Sequence, residues 1–361
     1  MYAVHTSRVT PTLALLLILV GLSALLGGCG EQEAVAPGTQ QAPTAGVRTL
    51  TLGAYTTPRE VYGQGIIPAF QQYWKAKTGE EVRFETSYLG SGAQARAILG
   101  GFEADVAALS LEPDIETLAQ AGLITHDWRA GPNQGMVTRS VVVLAVRQGN
   151  PVGVQGWDDL RRTGLGILTP NVRTSGGAMW NFCALYGAAL RGATDAPRGD
   201  TQAAEAFMAE VLRNVKVMDK GARESIINFE KGVGDVAITY ENEVLVGRKA
   251  GRTYDYLVPR ATILIENPVA VVDQYADRHG NRDLAEGFVA FLITPEAQKA
   301  FVEFGLRPVD PGVAQETADR FPAVKDLFSI RDLGGWTGVA QTLFAPGAAY
   351  DRAAAAVGPA K

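Results

Sequence analysis

The residues of this chain best suited to chemistry form the stretch Thr174-Ser175-Gly176-Gly177. This stretch follows a strand-like run, residues 165–170, and precedes an apolar segment of helical character, residues 178–190. Two glycines remove side-chain bulk where backbone must approach a ligand, and the start of a helix leaves its first N–H groups unpaired. Those N–H groups and the positive end of the helix dipole attract negative charge. The stretch therefore predicts an oxyanion site; the alternative is an ordinary helix-starting turn.

A similar arrangement occurs twice more along the chain. Gly90-Ser91-Gly92 lies between a strand-like run and a helix-like run that starts at Gln94. Gly221-Ala222-Arg223 also follows a strand-like run and precedes a helix-like run that starts at Ser225. The repetition favours the anion-site interpretation, although Asp219 could simply cap the last of these helices.

Two side chains could add to this site. Tyr240 ends a strand-like run, residues 236–240, and carries an O–H donor. The alternative is a core tyrosine whose hydroxyl reaches the surface. Arg223 and Arg59 are the charged candidates, although an exposed arginine commonly has no specific partner. We expect ligand contacts from Tyr240 and Arg223.

The residue types that most enzymes need are sparse in this chain. Of the histidines His5, His126 and His279, neither of the last two has a Cys, His or carboxylate neighbour at metal-ligand spacing. The sequence contains neither the Gly-x-Ser-x-Gly motif of hydrolases nor the phosphate loop of nucleotide-binding proteins. We therefore expect no enzymatic activity, no catalytic residue, no metal and no cofactor.

Residues 1–28 have the layout of a bacterial lipoprotein signal peptide. Arg8 precedes an apolar run, residues 13–26, which is shorter than the roughly 20 residues that a membrane-spanning helix needs. Cys29 follows a Leu-Gly-Gly sequence and resembles the lipobox cysteine that receives lipid; the alternative is a plain signal peptide with a chance cysteine. Residues 29–47 predict a flexible tether, because they hold no large apolar side chain beyond valine. We expect a periplasmic or extracytoplasmic domain that lipid on Cys29 anchors to the membrane.

Charge and cysteine content limit the partners further. The formal net charge is -5 and the sequence contains no block of Lys or Arg, which argues against nucleic acid. Cys183 is the only cysteine besides Cys29, so lipidation of Cys29 would exclude an internal disulfide. The apolar neighbours of Cys183 predict a buried side chain rather than a nucleophile. We expect a monomer.

From residue 48 onward, short β-branched runs alternate with helical patterns. This alternation predicts an α/β fold whose mostly parallel, mixed sheets are flanked by helices. Roughly 300 residues exceed what one core usually supports, so we expect two lobes with the ligand in the cleft between them. We expect the chain to cross from one lobe to the other, and to return, through two long strands near residues 137–146 and 262–272. Pro268 in the second favours an edge or a joint between lobes.

The predicted organisation is lobe I over residues 48–136, lobe II over residues 137–267, and a return to lobe I with C-terminal helices spanning the lobes over residues 268–361.

Seven motifs then occur in a fixed order. They are Thr57-Pro58-Arg59-Glu60, residues 90–94 (Gly-Ser-Gly-x-Gln), residues 103–106 (Glu-Ala-Asp-Val), residues 169–181 (including Thr-Ser-Gly-Gly), residues 221–225 (Gly-Ala-Arg-Glu-Ser), residues 232–236 (Gly-x-Gly-Asp-Val) and residues 240–243 (Tyr-Glu-Asn-Glu). With these motifs in this order, the chain resembles the sulfate/thiosulfate-binding proteins of bacterial ABC importers from about residue 50 to residue 350.

The resemblance implies a two-lobed periplasmic binding protein of type II that closes around one dehydrated sulfate. Carried over by motif, the hydrogen-bond donors are Ser91, Ser175, Gly176, Gly177, Ala222 and, where the family has a tryptophan, Tyr240. A phenolic O–H can donate as an indole does, but it can also accept. Thr56 stands where the family commonly has an aspartate after the first strand.

The function implied by the resemblance is capture of sulfate or thiosulfate and delivery to the permease subunits of an ABC transporter. Sulfate carries no proton at neutral pH, so we expect a lining of donors without a carboxylate, which disfavours hydrogen phosphate. The alternatives are another tetrahedral oxyanion, such as molybdate or phosphate, and a lipid-anchored hydrolase of anionic esters. The hydrolase would need a base beside Ser91 or Ser175.

Overall fold

The computed structural model describes residues 47–358, so the predicted signal peptide, Cys29 and nearly all of the predicted tether lie outside the described residues. Ten strands within these residues belong to one mixed sheet. The strands are β1 (Arg48–Tyr55), β2 (Val82–Leu89), β3 (Val106–Ala108), β4 (Met136–Val146), β5 (Ile167–Pro170), β6 (Val215–Asp219), β7 (Val236–Tyr240), β8 (Asp255–Leu257), β9 (Ala261–Val271) and β10 (Asp326–Phe328).

Helices follow most of these strands, as the sequence pattern predicts. They are α1 (Arg59–Val61), α2 (Ile67–Thr78), α3 (Ser91–Leu99), α4 (Glu112–Gln120), α5 (Gly176–Leu190), α6 (Thr201–Leu212), α7 (Ala222–Glu230), α8 (Glu241–Lys249), α9 (Asp273–Arg278), α10 (Arg282–Leu292), α11 (Pro295–Glu303), α12 (Pro311–Glu316), α13 (Gly335–Val339) and α14 (Ala349–Ala355). A π-helical segment, Tyr62–Ile66, joins α1 to α2. In the part of the chain that the structure describes, no helix is both long and apolar enough to cross a membrane.

The sheet consists of two parallel halves joined by antiparallel strands. Its order is β2-β1-β3-β9-β4-β7-β5-β6, and β10 and β8 pair with β9 and β4 off this path. Strand β1 is parallel to β2 and β3, and β5 is parallel to β6 and β7. We name β1–β3 with α1–α4 the first lobe, and β5–β7 with α5–α8 the second lobe. The predicted lobe limits at residues 136/137 and 267/268 remain a prediction.

The long strands β4 and β9 pair with each other in the middle of the sheet and form the joint between the lobes. The sequence predicts that Pro268 interrupts β9 and favours an edge or a joint. Strand β9 runs through Pro268 without a break and is central rather than at an edge, so the predicted interruption and edge position are wrong, whereas the predicted joint agrees with the sheet. A register irregularity opposite Pro268, between Met136 and Thr138, accommodates the residue that lacks an N–H donor.

Helix α5 lies inside the core of the second lobe. Thirteen of its fifteen residues are buried, and its sequence is apolar on all sides, which is typical of a fully enclosed helix. Cys183 is among the buried residues, and burial raises the pKa of its thiol, so the prediction of an unreactive side chain agrees with its surroundings. Packing therefore fixes the direction in which the start of α5 points.

A histidine-centred network joins the segment after α9 to β1 and to the residues before β3. His279 Nδ1 lies 2.8 Å from Asp105 Oδ1, and His279 Nε2 lies 3.0 Å from Glu103 Oε2. The other Asp105 oxygen accepts a hydrogen bond of 2.7 Å from the backbone N–H of Thr51 in β1. Partial burial alone would lower the pKa of His279, but the Asp105 and Glu103 carboxylates outweigh it and raise that pKa.

Replacing His279 with glutamine is expected to cost more stability at pH 6 than at pH 8.5. A histidine with a raised pKa contributes stability that is fully present below about pH 6.5 and is lost as the pH rises through the folded-state pKa. Because the ring is partly exposed, we expect a difference of roughly 2–4 °C in Tm between the two pH values. Thermal melts of both proteins measure it, and an equal loss at both pH values contradicts a charged His279.

Candidate functional site

Three of the predicted segments meet at the carboxyl ends of parallel strands. The backbone N–H of Ala93 in α3 donates to the carbonyl of Thr174 over 3.4 Å, and the Thr174 hydroxyl donates to the carbonyl of Lys220 over 2.9 Å. A Cβ on Gly90 would collide with both of these carbonyl oxygens. Only glycine permits this approach of the three loops, which come from β2, β5 and β6.

The helices begin inside the glycine-serine motifs rather than after them. Helix α3 begins at Ser91, α5 at Gly176 and α7 at Ala222, each two or three residues earlier than the sequence predicts. The N–H groups of these residues therefore belong to first turns, which have no acceptor within the helix. Together with the dipoles of three helices, they form a cluster of donors that favours an anion.

Ser175 precedes α5 and caps it. Its Oγ accepts a hydrogen bond of 3.4 Å from the backbone N–H of Ala178, and the side chain is buried. The cap uses a lone pair of the oxygen, so the hydroxyl hydrogen is left to donate. Ser175 can thus fix the helix and contribute a donor at the same place.

Gly176 lies against the first lobe, and Gly177 lies against other residues of the second lobe. A Cβ on Gly176 would lie 2.6 Å from the Oγ of Ser110 in the first lobe. A Cβ on Gly177 would lie 2.9 Å from Cε2 of Tyr240 and 3.1 Å from Cβ of Ala222. Of the predicted site residues, Gly177, Ala222 and Tyr240 are therefore direct neighbours.

Ser91 is held by a carboxylate that the sequence analysis did not predict. Its Oγ donates to Asp114 Oδ2 over 2.5 Å and accepts from the backbone N–H of Ser110 over 2.9 Å. The hydroxyl hydrogen is used by Asp114, so the donor that Ser91 can offer to a ligand is its backbone N–H. Asp114 borders the predicted site, whereas the sequence analysis predicts donors without a carboxylate.

Replacing Asp114 with asparagine is expected to stabilise the protein at pH 8. Burial raises the pKa of Asp114 to about 6, so its ionisation in the folded state costs free energy above that pH. The amide keeps an acceptor for Ser91 and removes the charge, and we expect a gain on the order of 1 kcal/mol at pH 8. The gain should vanish below pH 4, where both states are protonated.

Urea unfolding at pH 4 and pH 8 measures this difference. The matched control is Asp319→Asn, because Asp319 is exposed and makes no side-chain hydrogen bond or ion pair within residues 47–358. A destabilised Asp114→Asn protein at pH 8 would contradict a costly buried charge.

Tyr240 is fully buried and bonded across the lobes. Its hydroxyl lies 2.7 Å from the Ser110 Oγ, and either oxygen can be the donor. Burial raises the pKa of Tyr240, so the phenol keeps its proton at physiological pH. Sequence analysis missed Ser110 because no glycine motif surrounds it; the available signal was its position just after β3, at the same sheet edge as the other site residues.

Arg223 lies in an ion-paired group of three side chains that spans the lobes. It forms an ion pair with Glu60 of the first lobe, and its Nη1 lies 2.8 Å from Oε2 of the fully buried Glu243. Burial raises the pKa of Glu243 to about 7, and the guanidinium opposes that rise. Two carboxylates thus occupy the Arg223 guanidinium, and the predicted contact of Arg223 with a ligand stays a prediction.

The other residues singled out from the sequence have separate places. Thr56 packs against Gly221, where an added Cβ would lie 3.0 Å from the Thr56 Oγ1. Arg59 lies over the ring of Tyr88, 5.0 Å from its centroid. Thr56 therefore borders the start of α7, and Arg59 is an exposed residue of the first lobe.

His126 and His279 lie in networks of their own. His126 Nδ1 lies 2.7 Å from Asp273, and His279 is bonded to Asp105 and Glu103. Among residues 47–358, no group of His, Cys, Asp or Glu is placed to hold a metal ion. Within residues 47–358 no histidine lies beside Ser91 or Ser175, and the base that contacts Ser91 is the Asp114 carboxylate. The N–H groups and hydroxyls of the cluster suit it to bind an anion through neutral donors.

A family model described as bacterial extracellular solute-binding protein matches residues 50–307. The chain belongs to this family. This solute-binding protein is 42% identical over 334 residues to the sulfate-binding protein of Synechococcus elongatus. The alignment covers 92% of this chain and 93% of the relative. The protein is 35% identical over 305 residues to the thiosulfate-binding protein of Pseudomonas aeruginosa, covering 83% and 90%. The resemblance to sulfate/thiosulfate-binding proteins is confirmed.

The fold of the solute-binding protein also matches a solved structure. The sulfate-binding protein SubI from Mycobacterium tuberculosis H37Rv superposes with a TM-score of 0.76 at 38% identity, covering 82% of this chain and all of that one. The predicted α/β fold of a two-lobed periplasmic binding protein is thereby confirmed.

Proposed function

We propose that this solute-binding protein captures sulfate, with thiosulfate as a second ligand, outside the cytoplasm and delivers it to the permease of an ABC transporter. The observation that carries the proposal is the meeting of three helix starts, those of α3, α5 and α7, beside the Ser175 and Tyr240 hydroxyls. The relatives named for sulfate and thiosulfate, which align along most of the chain, support this ligand class.

The proposed contacts come from both lobes. The first lobe gives the N–H of Ser91, and the second lobe gives the remaining donors. These are the Ser175 hydroxyl, the N–H groups of Gly176, Gly177 and Ala222, and the Tyr240 hydroxyl, with the Arg223 group behind them.

Neutral donors can hold a dianion because they converge on it. Moving a bare ion out of water is costly, and each hydrogen bond to a charged group returns roughly 1.5–3 kcal/mol. Because the donors lie on helix starts that packing holds in place, little reorganisation is needed when the anion enters. Closure of the lobes about β4 and β9 would then exclude water from the ligand.

Several parts of the proposal concern the whole chain in its cell. Lipid on Cys29 would anchor the domain through the tether of residues 29–47 after removal of residues 1–28. Lobe limits at residues 136/137 and 267/268 and a monomeric state belong to the same proposal. The permease subunits would be its membrane partner, and the protein would act without catalysis.

Titration calorimetry of sulfate with the Ser175→Ala variant tests the proposal. Loss of a donor to a charged acceptor is expected to weaken binding by about 1–3 kcal/mol. The matched control is Thr294→Ala, because Thr294 caps α11 in the same way, accepting from the N–H of Ala297, but lies away from the donor cluster. Both variants lose a cap, and only Ser175→Ala should lose affinity.

A panel of sulfate, thiosulfate, selenate, molybdate and phosphate defines the ligand class. Tight binding of sulfate and weak binding of phosphate supports the proposal. Phosphate binding as tight as sulfate, no binding of any anion, or turnover of sulfate or phosphate esters contradicts it.

A further inference from the structure

Ser110 lies at the centre of the contacts between the lobes. It follows β3 in the first lobe, and its side chain is fully buried. Its carbonyl accepts from Trp180 Nε1 in α5 over 3.1 Å and from Asn267 Nδ2 over 3.1 Å. Its N–H donates to Ser91 Oγ over 2.9 Å, and its hydroxyl is bonded to Tyr240 over 2.7 Å. Ser110 thus contacts two of the proposed ligand-binding residues, one in each lobe.

The hydrogen bond between the Ser110 and Tyr240 hydroxyls leaves one of their two O–H groups free to donate. Each hydroxyl has one hydrogen to donate, and the bond between them uses one of the two. The pair therefore retains a single O–H donor. The Ser110 Oγ lies against Gly176, where an added Cβ would come within 2.6 Å, so this donor lies beside the first turn of α5.

We propose that Ser110 is a positioning residue for ligand binding, which pairs with Tyr240 when the lobes meet and thereby directs one O–H donor of the pair to the anion. The inference rests on the proposed anion-binding function. Because the two hydroxyls belong to different lobes, the pair is complete only when the lobes are in contact. Ser110 then stabilises the closed complex and does not affect the first encounter with the ligand.

This role predicts a kinetic signature. If the Ser110–Tyr240 pair forms only when the lobes close, its hydrogen bond to the ligand slows ligand release. Association depends on the open cleft, where the pair has not yet formed. We expect Ser110→Ala to raise the sulfate dissociation rate about 5–20-fold, because the remaining Tyr240 O–H is no longer held in place to donate to the charged ligand, and to change the association rate less than 2-fold.

The experiment is a double-mutant cycle in sulfate binding with Ser110→Ala, Tyr240→Phe and the combined variant. Stopped-flow tryptophan fluorescence gives both rates, calorimetry gives Kd, and thermal melts without ligand report on folding. Because the two hydroxyls act as one unit, the combined variant should lose little more than either single variant, within about 2-fold. The control is Ser140→Ala, since the Ser140 hydroxyl is also buried but has no hydrogen-bond partner among residues 47–358.

Each other outcome overturns the inference in its own way. Additive losses in the combined variant would mean that Ser110 does not act through Tyr240. A slower association or a lower Tm without ligand in Ser110→Ala alone would indicate a merely structural role, as would unchanged affinity. If the unmodified protein fails to bind sulfate at all, it is the proposed function that fails, and this result is distinct from the others.

Discussion

Replacing Gly176 with alanine is expected to weaken sulfate binding by about 100-fold while the protein stays folded. The new Cβ would lie 2.6 Å from the Ser110 Oγ and 2.8 Å from the Leu111 Cγ, both in the opposite lobe. Such a contact has to be relieved by moving the lobes apart, and an overpacked contact costs typically 1–3 kcal/mol. Since the complex depends on donors from both lobes, that cost appears as lost affinity.

The same substitution should not harm the protein without ligand. In an open arrangement the Ser110 side chain no longer meets Gly176, and alanine has a higher helix propensity than glycine. We therefore expect a Tm equal to that of the unmodified protein or slightly higher. Calorimetry and thermal melts of the same sample separate the two effects.

A matched control is Gly156→Ala. Gly156 lies directly before a short 3-10 helix, Trp157–Arg161, and an added Cβ there meets no heavy atom within 4 Å. The Gly156→Ala variant should bind sulfate with the affinity of the unmodified protein. Unchanged affinity in Gly176→Ala would mean that the lobes do not approach each other at this residue in the bound state.

Replacing Arg223 with methionine is expected to cost about 3 kcal/mol of stability at pH 8. The substitution leaves Glu243 fully buried without its cationic partner, and breaking a buried pair from one side typically costs 3–5 kcal/mol. It also removes the ion pair to Glu60, which links the lobes, so sulfate affinity should fall as well.

The loss should be smaller at pH 5.5 than at pH 8. The pKa of Glu243 is already raised to about 7 by burial, and removal of Arg223 raises it further. A buried acid with a raised pKa destabilises the folded state when it is ionised and ceases to do so once protonated at lower pH. Urea unfolding at both pH values measures the difference.

The double variant Arg223→Met with Glu243→Gln tests the cause. Removing the charge on both sides should restore most of the stability at pH 8, because no ion is left buried without a partner. The single variant Glu60→Gln is the control for the pair between the lobes, and it should lower sulfate affinity with little change in stability. An equal loss of stability at both pH values in Arg223→Met would contradict an ionised Glu243.

The sequence predicted the strands well because their signal is local. Strand β7 has the predicted bounds, and β4 and β9 begin and end within one residue of theirs, since β-branched residues in short runs mark strands wherever they pair. The helix starts were predicted late because glycine and serine have low helix propensity, whereas at Ser91, Gly176 and Ala222 the sheet and the neighbouring loops impose the first turn.

The parts that sequence analysis missed depend on contacts between distant residues. Asp114 meets Ser91 across 23 positions, Ser110 meets Tyr240 across 130, and Arg223 meets Glu60 across 163. No local pattern marks such pairs, because each partner alone is an ordinary polar residue. The donors carried by glycine motifs were predictable, and the side chains that orient them were not.

The enclosure of helix α5 has a consequence for how this molecule could acquire a different guest. With thirteen of fifteen residues buried, α5 has no free side along which to tilt, and its opening turn keeps one orientation whatever enters the cleft. Adaptation to a larger or protonated anion would therefore have to be made on the opposite wall, around Ser91, Ser110 and Asp114. We expect libraries randomised at those positions to yield altered selectivity, and libraries along α5 to yield mainly unfolded protein.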